Sequence, residues 1–185
     1  MNANPSVDEA EFPLELGAFL NFAWDRANRS LDEAKRLREH GSYGPALVWA
    51  VRAGEIFTRE FLLTPIFLDE KHDVPDALRR ARKVFGSGNW IKAYALLEEH
   101  VGPIDSMVTD TEEDAWRHWN RHASEIRGAV VHGNAEISVE LADWAISYVA
   151  QLFEQMVLRM IVSRKHPSSD VFMKVVTAIR RSAEA

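Results

Sequence analysis

The sequence predicts an all-α fold, a single antiparallel bundle of about six or seven helices. Three observations predict it. Apolar residues recur at spacings of three and four along almost the whole chain, and no window alternates apolar and polar residues as a half-buried strand would. Turn-forming residues cut that periodicity into helix-length pieces at His40-Gly41-Ser42, Gly86-Ser87-Gly88, Gly102-Pro103 and Gly133-Asn134. The length of 185 residues, 46% of them hydrophobic, suits one core rather than two. Residues 13–185 therefore read as one helical domain, preceded by a flexible arm over 1–12 and ending in a short helix from about 168.

The elements follow in order. After Pro13, a first helix carries Leu16, Phe19, Leu20, Ala23, Ala27, Leu31, Ala34 and Leu37 on one face. A second begins near Pro45, a residue suited to a first turn, with Leu47, Ala50, Val51, Gly54, Thr58, Phe61 and Leu62 on its apolar side and Arg52, Glu55 and Arg59 on the other. From Val74 to Val101 the glycine break separates a basic helix from one carrying Trp90, Tyr94, Leu97 and Val101. Asp110 stands three residues before Glu113, as in a capping box, and opens a helix from about Thr111 to Val131 with Ala115, Trp119, Ala123, Ile126 and Val130 inward. Gly133 and Asn134 tolerate the left-handed backbone just past a helix end and stop it. Ser138 with Leu141 opens what reads as the longest helix, striped by Ala142, Ala145, Ile146, Val149, Phe153, Met156, Val157, Met160 and Ile161. Lys165 to Asp170, with Pro167, reads as a hinge into the last helix.

Composition excludes several function classes. With no cysteine there is no disulfide framework, thiolate metal site or thiol nucleophile, and His, Asp, Glu, Ser and Lys are left for chemistry. The net charge of -6 opposes a broad positive coat for nucleic acid but allows a local basic cleft. Acid collects at Asp8, Glu9, Glu11 and Glu15, whereas from Gln155 onward six basic residues face two acidic ones. The N-terminus lacks a positive segment followed by an apolar run, so no signal peptide is expected. Gln151, Glu154, Gln155 and Arg159 interrupt the most apolar stretch, which argues for a buried helix rather than a membrane span. A cytoplasmic protein is the expectation.

The segment Arg127-Gly128-Ala129-Val130-Val131-His132-Gly133 carries the most chemistry. Five residues rotate an ideal helix by about 140°, so Arg127 and His132 meet only if His132 occupies a terminal turn that Gly133 lets bend back. Arg127 falls at the edge of the apolar face, where it buries its stem and presents its fork outward. A purely structural reading stands beside this one: a histidine at a helix end complements the dipole and bonds a last-turn carbonyl, and Arg127 pairs with an acid nearby.

An arginine, a short gap and a histidine followed by a small residue, ending an interior helix of a small all-α bundle, resembles the HEPN superfamily (higher eukaryotes and prokaryotes nucleotide-binding domains). The order of a Glu55-bearing helix, the RGAVVHG segment and a long helix covers roughly Pro13 to Arg164 in the way those domains are built. The resemblance implies a dimeric, metal-independent ribonuclease of the kind found in toxin–antitoxin or phage-defence systems, needing no cofactor, with an antitoxin protein as a partner. It implies Arg127 and His132 as the catalytic pair, the histidine as general acid or base and the arginine as a clamp on the charged transition state. Where active members commonly carry a polar residue after the arginine, this chain has Gly128, so the resemblance also fits a domain that binds RNA or a protein without cleaving.

Glu55, His122, Gly128 and Asn134 are auxiliary candidates around the pair. Arg52 and Arg59 at helical spacing from Glu55 offer it an ordinary surface ion-pair stripe instead. His118 and His122 share a face, but with Trp119 between them and no third ligand no metal site is expected. Arg79, Arg80, Arg82 and Lys83 are candidate RNA contacts and would otherwise be a solvated face. The tryptophans read mostly as core anchors rather than base-stacking platforms.

Overall fold

The computed structural model describes residues 7–68, 73–86, 90–102, 136–163, 165–167 and 169. Every element among the described residues is helical. In order they are α1 (Val7–Glu39), α2 (Tyr43–Ile56), a π-helical segment (Phe57–Leu63), a single turn α3 (Thr64–Ile66), α4 (Val74–Gly86), α5 (Trp90–Val101) and α6 (Val139–Ser163). α1 begins at Val7, ahead of Pro13, where the sequence suggests the first helix starts. At 33 residues it exceeds α6 at 25, which the sequence had marked as the longest.

The turn chemistry ends the helices where expected. Past α1, Gly41 adopts φ 74°, its N–H bonds the Arg38 carbonyl at 3.0 Å, and the Ser42 N–H bonds the Leu37 carbonyl at 2.9 Å, which together make a Schellman motif. Gly102, at φ 81°, closes α5 with one bond to the Glu98 carbonyl at 2.9 Å. Asp73 caps α4 by accepting the Asp76 N–H at 2.9 Å, and Ser138 caps α6 through the Leu141 N–H at 3.3 Å.

The short connection after α1 lays α2 back along it, and small residues Ala23, Ala27 and Ala34 facing Ala46, Ala50 and Ala53 let the two helices pack closely. α6 lies against both, burying Ala142, Ala145, Val149, Leu152, Phe153, Met156 and Met160. By length and composition α6 is the one described helix that could cross a bilayer, yet its inward stripe is a packed face of this bundle. Arg38 ties α1 to α6 by a two-pronged bond to Asp143 at 2.5 and 2.6 Å and holds that carboxyl below its ordinary range.

The π-helical segment is the hub, contacting α1, α2, α3, α4 and α5. Phe57, fully buried, meets Phe153 at 4.3 Å, Phe61 at 5.3 Å and Trp24 at 6.1 Å between ring centroids. The segment ends where Pro65 follows. Proline has no N–H and would clash with the carbonyl four residues back, and the wider turn relieves that clash. The Thr64 N–H and hydroxyl both go to the Arg59 carbonyl, the hydroxyl at 2.8 Å.

Candidate functional site

Arg127, Gly128, His132, Asn134 and His122 lie outside the described residues, which run up to Gly102 and resume at Glu136. The flanking elements are placed: the motif falls between the end of α5 and the start of α6, two helices that pack on each other. Of the remaining candidates, Arg79, Arg80, Arg82 and Lys83 are all exposed on α4, whose Ala77 and Ala81 turn inward against α3, the π segment and α5. The basic helix is therefore amphipathic, with four cations against Asp76, and Asp76 pairs with Arg79.

Glu55 is half-buried on α2. Near it, Arg52 lies over the Trp49 ring at 4.7 Å, and Arg59 donates to Glu60. Glu60, which the sequence did not single out, is the buried carboxylate of the hub, 1% exposed. Arg26 of α1 donates to its Oε2 at 2.8 Å and Arg59 donates to its Oε1 at 3.1 Å. Both carboxylate oxygens are thus engaged, one by each guanidinium, and the cluster carries one positive charge in excess.

The two arginines keep part of their surface in water, with side chains 35% and 24% exposed for Arg26 and Arg59. Arg26 also lies over the ring of Phe22 at 5.4 Å, and Phe22 is itself 58% exposed. The Arg59 Nε is buried without a hydrogen-bond partner. Leaving such a donor unpaired costs about 1–3 kcal/mol or more for a charged group.

A second polar cluster closes the far end of the hub. His166 is 2% exposed and donates from Nε2 to the Leu62 carbonyl at 2.8 Å. His100 donates from Nδ1 to the Leu96 carbonyl at 2.8 Å, and its ring stands edge-on to His166 at 6.4 Å. Because a carbonyl only accepts, both protons are fixed on those nitrogens. Burial pushes the His166 imidazole down to about 4; its bond to Leu62 opposes that shift and His100 adds to it. Ser163 and Ser169 extend the cluster with bonds to the His100 and Met160 carbonyls at 2.9 and 2.8 Å. Within the expected hinge from Lys165 to Asp170, the described His166 and Ser169 are thus anchored to the core. Among the described residues no three His, Asp or Glu side chains assemble as a metal site.

The signal for Glu60 was weak in sequence. It stands in Thr58-Arg59-Glu60-Phe61, where a charged pair reads as the outer edge of a helix, and only the crowding of every flank by other helices reverses that reading. Arg26, on the rim of the Ala23–Ala27–Ser30 face, carried no signal of its own. Comparison with models of protein families, with curated proteins and with solved structures finds no match to the chain.

Proposed function

We propose that the chain is a metal-independent endoribonuclease of HEPN type that works in the cytoplasm as a homodimer, in a toxin–antitoxin or phage-defence setting with an antitoxin as protein partner. The observation that carries this reading is the Arg127-Gly128-Ala129-Val130-Val131-His132-Gly133 segment of the sequence, an arginine and a histidine followed by a small residue, in a chain whose described elements are all helices. His132 takes the proton of the RNA 2′-hydroxyl or gives one to the leaving 5′-oxygen. The 2′-oxygen forms a bond to phosphorus as the bond to the 5′-oxygen breaks, leaving a 2′,3′-cyclic phosphate and a 5′-hydroxyl. Arg127 presents paired donors to the phosphoryl oxygens as their charge grows. A dimer brings two copies of each residue to one cleft and so supplies both acid and base. The exposed basic face of α4 supports the reading by offering phosphate contacts on an otherwise acidic chain.

The test is cleavage of RNA in EDTA. Arg127→Ala and His132→Ala each reduce the rate by about 100-fold or more, the scale of a lost acid–base group or clamp. Unchanged cleavage in both variants overturns the assignment. Gly128 favours a second reading, an RNA- or protein-binding module without turnover, which predicts RNA binding with no product at any pH.

A further inference from the structure

We infer that the outer face of α4, extended by Lys92 of α5, is a docking surface for the phosphate backbone of an RNA strand, which it holds without regard to base sequence. The exposed positions of α4 are Pro75, Arg79, Arg80, Arg82 and Lys83, while the small residues Ala77 and Ala81 turn inward. α5 starts at Trp90, shortly after α4 ends at Gly86, and packs on it, so the exposed Lys92 in its first turn stands at the same end of the pair as Arg82 and Lys83. Asp76 is the sole acid of α4 and pairs with Arg79, whose side chain nevertheless stays 76% exposed. Glu98 and Glu99 lie at the other end of α5. The last two turns of α4 and the first turn of α5 therefore carry cations without acids, on a chain whose net charge is -6. The helix dipole accounts for Lys83 in the last turn of α4 but not for the three arginines before it.

What the face lacks identifies its partner. The large apolar residues of α4, Leu78, Val84 and Phe85, are half-buried, the latter two against the core, so none is exposed among the cations. A helix lying on a membrane needs such residues on its lipid side, and a protein interface needs an apolar or aromatic centre. A polyanion held by its backbone needs only repeated cationic contacts, and arginine forks match phosphate oxygens. Arg79 stands about 5–6 Å from Arg82 and from Lys83 between Cβ atoms, which makes an open row along one edge of the helix. No aromatic ring of α4 is exposed to stack a base, hence the indifference to sequence. The inference rests on RNA as the ligand proposed above and not on its cleavage, since no residue of α4 takes part in the chemistry.

Fluorescence anisotropy of the full chain with a labelled 2′-O-methyl RNA of roughly 12 nucleotides, which the proposed nuclease chemistry leaves intact, tests the surface at several salt concentrations. Affinity should fall with salt at a log–log slope of about -3, as about four phosphate contacts to a single strand require. Arg82→Gln combined with Lys83→Gln should weaken binding about tenfold at low salt and flatten the slope by about 1.4. Both residues are exposed, so this variant keeps the wild-type thermal melt. Lys35→Gln combined with Arg36→Gln, which removes the same charge from the exposed side of α1, should bind nearly as the wild type does. No saturable binding, undiminished affinity in the folded α4 variant, or an equal loss in the α1 variant overturns the surface, as does binding to anionic lipid vesicles in place of RNA. Cleavage of unmodified RNA by wild type and His132→Ala, measured in parallel, reports on the nuclease reading alone.

Discussion

Glu60 shows how one residue's role depends on what surrounds it. On an isolated helix the Arg59–Glu60 pair belongs to the wet side, as the regular stripe of Leu47, Ala50, Val51, Gly54, Thr58, Phe61 and Leu62 suggests for the neighbouring Arg52 and Glu55. In the fold, Phe57, Thr58, Phe61, Leu62 and Leu63 are buried together with Glu60, and the carboxylate survives there only because two guanidiniums reach it. Glu60→Ala removes the shared anion and leaves two cations with no counter-charge. It should lower stability by about 3 kcal/mol, the low end for breaking a buried pair because both arginines retain some water, as read from urea unfolding. The same deletion at Glu33, an exposed partner of Arg36 one helical turn away, should leave the urea midpoint nearly unchanged. Glu60, which no local pattern marks, takes Arg26 from α1 as its partner.

At the scale of elements, helix limits were the most legible feature because they are set by local chemistry. Glycines at Gly41 and Gly102 sit in the left-handed region, and Asp73 and Ser138 cap the helices that follow them. Nothing lies within 4 Å of the Cβ that a substitution at Gly41 would add, so Gly41→Ala tests backbone strain alone. It should cost about 1 kcal/mol and lower the melting temperature by about 2–4 °C, measured by thermal denaturation followed by circular dichroism. The start of α1 and the π-helical segment were not legible. The first was obscured by Pro13, which marks a plausible helix start without being one, and the second has a bonding pattern that responds to Pro65 and to packing on all flanks. The anchor at His166 was read as a hinge for a similar reason: Pro167 signals a break, but not that the residue beside it reaches into the core.

Across the whole molecule, His166 couples folding to pH. The unfolded chain takes up a proton on this imidazole near its ordinary value of 6.5, whereas burial holds the folded form neutral down to about 4. Between those values the unfolded state binds more protons, so stability falls as pH drops from about 6.5 and levels off below about 4. The contribution lost across that window is about 3 kcal/mol. Unfolding midpoints at pH 7 and pH 4.5 should therefore differ less in His166→Gln than in the wild type, since glutamine keeps a donor for the Leu62 carbonyl and does not titrate; equal differences would mean that other groups carry the acid response.

The sequence by itself determined the all-α character of the described residues, several helix limits and the inward stripes of α1, α2 and α6, because periodicity and turn chemistry act over a few residues. It also located the Arg127–His132 segment between α5 and α6. Tertiary structure alone decided which polar groups meet across long stretches of chain. Arg26 finds Glu60 across 34 residues, His166 finds Leu62 across 104 and Arg38 finds Asp143 across 105. Burial depends on the sum of all surrounding elements, and no local pattern records how many helices will close around a given side chain.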